Sequence, residues 1–592
     1  MKADSPGPLW LTAAALALLW CVGLFGRGYW TPDEPREAAL AASVSTQALP
    51  LPQLAGVTFA EKPPLTYWLA GASMAQFGRG AAAARLPQLG YALLALLSIV
   101  ALARALLARK ADGRVTAGVA AILFATGALI YQVQIWLDTD ALLLAGVCLA
   151  LAGMYTGLAA TARKRRLCGY LAMHAGLTLA FFGKNLAAWL VPVLTFLCFI
   201  AWERRGRELL RWEFWLGALL PLSCISAWVL SVEARPDGAQ ALRILFWNNL
   251  VGRVLPVATE ARYNYAGGHP NWPGRYFAEL PLYLLPWTVL AAYALRAAWR
   301  GLRQGVEERR AWRFALCASL PGLLLLSFAA TGRSIYAAPC MIGFVLLIAL
   351  WLADAGAEPA AVPAQRAISI TALLIALLAL LVLGLTLALQ WSVERAGALE
   401  FAISASAAAA VVAVATRQAW VRSISAPAAV TRLAVAWCLL LSLGVLNIFA
   451  AINRTQDIEA LAARVAQAAG PGPLLLWNPD ETTLAWAQLY LAADRWSALD
   501  ATDANAVALL EQQLRRAPRT TIMSPIGGRG WSSAQWLIYL QGRATAEELT
   551  RPQGRVDSTL SAAGLVKRLQ VQRPGGRGYL LWQFPVSAPS SP

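Results

Sequence analysis

Thirteen apolar runs, each close to the length that crosses a bilayer, leave this 592-residue chain few ways to fold. A spanning helix needs about 20 mostly apolar residues. Such runs lie near 9–26, 86–107, 114–131, 139–160, 167–183, 185–202, 212–232, 280–298, 312–330, 335–353, 366–390, 399–416 and 429–451. Only 14% of the residues are charged and mean hydropathy is +0.53, whereas soluble domains are about 25% charged. That excludes a soluble enzyme, a disordered chain and a disulfide-rich secreted module; an α-helical polytopic membrane protein remains. No small-x-small site follows the first run, so it is expected to stay as an anchor rather than be cleaved. The cysteines lie in or beside apolar runs, none after Cys438 and none in C-x-x-C spacing. They are expected as small buried apolar groups, neither disulfide-bonded nor metal-bound.

The net charge of +18 suggests nucleic acid until it is mapped onto the runs. With the N-terminus inside, alternate connections hold Arg104, Arg109, Lys110 and Arg114; Arg163 to Arg166; Arg204, Arg205, Arg207 and Arg211; and then Arg296, Arg300, Arg303, Arg309, Arg310 and Arg313. Arg366, Arg417, Arg422 and Arg432 fall on the same side. Basic residues mark the cytoplasmic side of membrane proteins, so orientation follows. These clusters lack the aromatic interleaving of a nucleic-acid surface, and no nucleic acid is expected as a partner. An odd number of spans sends the C-terminus outside. Residues 1–451 thus read as a transmembrane domain with long outer loops at 27–85 and 233–279, and 452–592 as a small outer α/β domain. In it, 473–479, 519–525, 565–571 and 578–584 read as strands, and 480–493 and 504–517 as helices. No nucleotide-binding glycine loop and no internal repeat is visible.

Charged residues at membrane depth are costly and are functional candidates by default. The first outer loop opens GRGYWTPDEPREAALA, with Asp33 and Glu34 between two prolines and Arg36 following. An acidic pair there can act as general base or hold a divalent cation; Asp33 also suits a helix N-cap. FAEKPPLTYWLAG adds Glu61 and Lys62, a point-charge partner for phosphate or a snorkelling lysine. Arg85 stands at the mouth of the second run, and Asp138 and Asp140 where the third run meets the fourth, one of them a plausible cap. Lys184 occupies a minimal outer turn, and Arg333 and Tyr336 another. The second long loop contributes Arg253, His269, Arg275 and Tyr276. Singly, each cation reads as an interface anchor. Together, outer cations suit a phosphate leaving group and outer carboxylates suit activation of a hydroxyl.

The motifs YWTPDEPREA, FAEKPPLTYWL, ARLP, LDTDALL, FFGKNLAAWLVP, WNNLVGR, LPLYLLPW and TGRSIYAAPC follow one another through the first 350 residues. In this order they resemble the C-type integral-membrane glycosyltransferases, above all the lipid A 4-amino-4-deoxy-L-arabinose transferases and the wider protein O-mannosyltransferase-like group. The resemblance implies an inverting transfer of a sugar from a polyprenyl phosphate donor to lipid A, or to another hydroxyl or phosphate acceptor. It implies a monomeric, multi-pass protein of the bacterial inner membrane whose site faces the periplasm. Asp33 and Asp138 would be the catalytic carboxylates. Glu34, Arg36, Glu61, Lys62, Arg85, Lys184, Arg253, His269, Arg333 and Tyr336 would line the donor phosphate and substrate cavity. A divalent metal ion at Asp33, Glu61 and Asp138 is one option, and a metal-free Lys/Arg cradle is the other. This sequence departs from the family pattern at Glu37, Asn185, Asn249 and Arg333. A transporter would place charges differently, at mid-membrane among internal repeats. An O-antigen ligase or polymerase would share the donor but not the DE…EKPP order.

Overall fold

The computed structural model describes residues 9–31, 33–46, 50–110, 113–252, 271–302, 309–355, 362–391, 397–421, 424–456, 458–477, 479–499, 506–517, 520–525, 560–561, 564–572 and 578–583. Each of the thirteen apolar runs is helical at least in part. Among the described residues eight helices are long and apolar enough to span, or nine if the pair Gly113–Thr126 and Ala128–Ile135, bent by 65°, counts as one. The sequence predicts the run near 114–131 as a single span. The bend sits at Gly127, which leaves helical geometry, and the Ala128 N–H is taken instead by the Leu285 carbonyl at 2.8 Å. The runs near 280–298 and 312–330 are divided into shorter helices.

The site is framed by α1 (Leu9–Phe25), α2 (Asp33–Thr46), α3 (Leu65–Phe77), α4 (Ala81–Leu106), α5 (Gly113–Thr126), α6 (Ala128–Ile135), α7 (Asp140–Ala159) and α8 (Arg163–Lys184). Helices α2 and α3 pack on each other and, at 14 and 13 residues, are too short to span. Their shared core is mostly alanine, with Ala38, Ala39, Leu40 and Ala41 fully buried. In α4, Pro87 has no N–H to give the Ala83 carbonyl. The Ser73 hydroxyl of α3 donates to that carbonyl at 2.6 Å, tying the short helix to the span.

Helices α7 and α8 run antiparallel with backbones in contact. A Cβ on Gly153 would lie 2.3 Å from the Met173 nitrogen, and one on Gly176 equally close to that of Ala150. Such small-residue seams let membrane helices approach closely. The pair meets the site at one end, where α7 starts at Asp140 and α8 stops at Lys184. Asn185 stops it: its φ of 59° leaves the right-handed helix, and its side-chain oxygen accepts from the Ala187 N–H at 2.9 Å, a local turn that suits Asn.

Beyond the spans, a two-stranded ribbon forms from β1 (Gln53–Leu54) and β2 (Val57–Thr58). The C-terminal residues form a five-stranded mixed sheet from β3 (Leu474–Trp477), β4 (Trp496–Leu499), β5 (Thr521–Pro525), β6 (Val566–Gln572) and β7 (Gly578–Gln583), ordered β4-β3-β5-β7-β6. Strand β4 was not anticipated, because WSAL is too short to show a pattern. Helix α9 (Glu481–Tyr490) starts at Asp480, whose carboxylate accepts from the Thr483 N–H at 2.8 Å. Its Ala485 and Leu489 join the apolar core of α2 and α3, so the C-terminal unit is seated on these two short helices.

Candidate active site

The adjacent acids of the DE pair point to different places. The Glu34 side chain is fully buried between Arg27 and Arg85. It accepts from Arg27 at 2.6 and 2.9 Å, from Arg85 at 2.7 and 3.1 Å, and from the N–H groups of Trp30 and Leu137, each at 2.8 Å. A guanidinium has five N–H donors. Those of Arg85 go to Glu34 and to the carbonyls of Leu24, Arg27 and Gly28. Neither Glu34 nor Arg85 has anything left for a phosphate. Their expected place in the donor cavity is corrected: they form a buried clasp joining the end of α1, the start of α2 and α4. Arg27, the third member, went unnoticed in the sequence because a lone arginine after a span reads as an anchor.

Asp33, one residue earlier, turns away from the clasp, and its side chain is 15% exposed. Its carboxylate accepts from Arg333 at 2.7 Å and from Arg36 at 3.3 Å, and from no backbone N–H among the described residues, so it does not cap α2. Burial pushes its pKa up, and Arg36 and Arg333 more than offset this, holding it below the ordinary carboxylate range. Arg36 also reaches Glu37 at 3.0 Å and, from the C-terminal unit, Glu481 at 2.8 Å. One N–H of Arg333 serves Asp33; the remainder of its guanidinium has no partner among the described residues, and the side chain is 31% exposed.

Lys62 lies behind this pair. Its ammonium donates to Asp138 at 2.7 Å and to Glu37 at 3.0 Å, which leaves one of three N–H groups unused. Asp138 further accepts from the Thr139 N–H at 2.6 Å, and Glu37 from the Tyr67 hydroxyl at 2.8 Å. Burial raises Asp138, but Lys62 and Lys184 hold it well below the usual range. Burial lowers Lys62, but Asp138 and Glu37 hold it above its ordinary value. Lys184 binds Asp140 through both oxygens at 2.5 and 2.6 Å and lies 4.7 Å from the centre of the Tyr336 ring. Asp140 therefore makes an ion pair, and no side chain caps α7. Asn249 donates to the Glu61 carbonyl. Tyr276 donates to the Arg333 carbonyl at 3.1 Å, and Arg275 to that of Gly332 at 2.8 Å. Arg253 and His269 lie outside the described residues.

Glu37, Tyr67 and Glu481 were not selected from the sequence. Glu37 carried a signal, since residues four apart share a helix face and place it beside Asp33. Glu481 carried none. The metal option fits poorly. Asp33 and Asp138 take their positive partners from Arg36, Arg333 and Lys62, and among the described residues no three His, Cys, Asp or Glu side chains are grouped to hold an ion. The arrangement suits a cationic cradle for a phosphate, with one ionised carboxylate at its open edge.

Superposition on the crystal structure of ArnT from Cupriavidus metallidurans bound to undecaprenyl phosphate covers 98% of both chains with a TM-score of 0.69, at 17% identity. The chain shares the fold of that structure. Residues 61–230 match the family model described as dolichyl-phosphate-mannose-protein mannosyltransferase. The chain is 31% identical over 344 residues to the undecaprenyl phosphate-alpha-4-amino-4-deoxy-L-arabinose arabinosyl transferase of Pseudomonas aeruginosa strain UCBPP-PA14, covering 57% of this chain and 58% of that one. The protein of the same name from Edwardsiella ictaluri is 29% identical over 347 residues, again 57% of this chain and 58% of the relative. The match thus spans little more than half the length of these relatives. The resemblance read from the motifs holds.

Proposed function

We propose that the chain transfers a sugar, 4-amino-4-deoxy-L-arabinose in the first reading, from polyprenyl phosphate to lipid A with inversion, at the periplasmic face of the bacterial inner membrane. The Asp33–Arg333 pair carries this reading: it sets an ionised carboxylate beside an open guanidinium, with Lys62 and Lys184 close behind. On this reading the chain crosses the membrane thirteen times with the long loops and the C-terminus outside, and the basic clusters on the other side support a periplasmic position for that pair. The chain works as a monomer.

The donor phosphate docks on the unused N–H groups of Arg333 and Lys62, which neutralise the charge it gains as a leaving group. The acceptor oxygen attacks the anomeric carbon from the opposite face. The bond from that carbon to the phosphate oxygen breaks, and polyprenyl phosphate leaves with the electron pair. Asp33 takes the acceptor proton. While two guanidiniums touch it, Asp33 is ionised but a weak base. A phosphate that draws Arg333 toward itself removes one of them and raises proton affinity when the donor is bound. The residues present perform this cycle without a metal ion.

The test is direct: purified protein, polyprenyl-phosphate aminoarabinose and lipid A, with free polyprenyl phosphate and modified lipid A read by mass spectrometry. Stoichiometric appearance of both supports the reading, and release of neither overturns it. A second reading keeps the donor class but uses protein or another glycan as acceptor, in line with the matched family model's description. Polyprenyl phosphate release that needs such an acceptor and ignores lipid A selects it.

A further inference from the structure

At the end of the molecule opposite the active site the arginines do more than mark a side. The helix Ser334–Asp354 begins next to Arg333 and runs for 21 residues, about 30 Å at 1.5 Å each, the thickness of a bilayer core. At its far end a cavity of about 820 Å³ opens between Thr288–Gly301, the start of Arg310–Cys317, the end of Ala338–Asp354 and the start of Val362–Trp391. Arg296 and Arg300 line it one helical turn apart, with Tyr293 on the same face. Among the described residues neither arginine has an ion-pair or hydrogen-bond partner. Arg309 enters from the facing element. Its guanidinium lies against Gly301, where a Cβ would come within 2.4 Å of it. Among the described residues the one carboxylate lining the cavity, Asp354, is taken by Lys110 at 2.5 Å, with Arg309 at 3.9 Å. Trp312 and Trp351 complete the wall, and the Tyr293 and Trp351 rings are 5.9 Å apart.

Topogenic charge explains why these arginines lie on this side, but not why three converge on one aromatic-walled cavity with its acid already neutralised. We infer that the cavity binds the phosphate of an anionic membrane lipid from the leaflet opposite the active site, with the acyl chains lying along the adjoining apolar helices. Basic pockets between membrane helices hold anionic headgroups in this way. A lipid fits better than a soluble phosphate because the rim is apolar and exposed: Trp299 is 72% exposed beside Arg300, and Val362 is 64% exposed beside Pro363.

The full chain in neutral detergent is titrated with phosphatidylglycerol or phosphatidylcholine and observed by native mass spectrometry. The expected result is a preference of about tenfold for phosphatidylglycerol, lost in the double variant R296Q/R300Q and weakened in G301A, which displaces Arg309. The control R163Q/R165Q removes basic residues of the same side that do not line the cavity and should keep the preference. Melting temperatures confirm that each variant is folded; if the double variant fails this check, G301A decides alone. Retention of the preference in the folded variants, or an equal loss in the control, overturns the site. Displacement of phosphatidylglycerol by millimolar inorganic phosphate overturns the lipid assignment.

Discussion

Asp33 and Glu34 are neighbours in sequence with opposite fates, and substitution should separate them. Asp33→Asn keeps the size and loses the charge, so the chain should insert and express normally. Sugar transfer should fall by about 100-fold or more, the lower bound for a lost general base. A variant with near wild-type transfer would shift the role to Asp138. Arg85→Gln should do the reverse. It removes one of the two cations holding the buried Glu34, a loss of about 3–5 kcal/mol, so yield and melting temperature should drop while the KM for donor in surviving protein stays the same. Lys62→Ala strips Glu37 and Asp138 of their shared cation and should cost stability as well as donor binding. The pH profile carries a sign. Asp33 sits below its ordinary value because two cations outweigh burial. Its acid limb in kcat/KM, which reports the free enzyme, therefore lies below the usual carboxylate range. Arg333→Gln removes one cation while burial still pushes up, so the limb should move to higher pH by about 1–3 units. An unmoved limb would show that the limb belongs to another group.

At the scale of the element, the α7–α8 seam positions the deepest part of the site. No side chain larger than hydrogen fits at Gly153 without backbone movement. Asp140 and Lys184 cap that seam at the site end, so spreading the helices moves both and loosens the cation beside Asp138. Gly153→Leu should lower the melting temperature and the transfer rate together, although Gly153 lies more than three helical turns from Asp140. Loss of stability with unchanged transfer would mean that the pair is held by other contacts.

At the scale of the whole molecule, the C-terminal unit is part of the site's architecture. It touches Arg36 through Glu481 and reaches the α2–α3 core through Ala485 and Leu489. Glu481 is more than half exposed, and exposed pairs contribute little, so Glu481→Gln should change transfer only slightly. Leu489→Asp introduces a charge into an apolar contact and should release the unit, seen as new protease cleavage after the last span together with lost transfer. Preincubation with EDTA should leave transfer unchanged; a loss restored by a divalent ion would reinstate the metal option.

That the chain is a mostly helical membrane protein is legible in the sequence alone, and the motif residues Asp33, Lys62, Asp138, Lys184 and Arg333, candidates from the sequence, are brought together by the fold. Span length and basic asymmetry are properties of short stretches, summed along the sequence and insensitive to what packs against what. The bend at Gly127 was not readable, because it depends on the Leu285 carbonyl that takes the Ala128 N–H; strand β4 is too short to show a pattern and is defined by its pairing with β3. The division of labour among the charges was not readable either. Residues 27 and 85, 33 and 333, and 36 and 481 are brought together only by packing, and at these short distances a buried ion pair is decided by geometry. Rotation by about 100° per residue at the start of α2 sends Glu34 into the clasp and Asp33 toward Arg36 and Arg333, so two acids that look equivalent in sequence become a structural anchor and the proposed base.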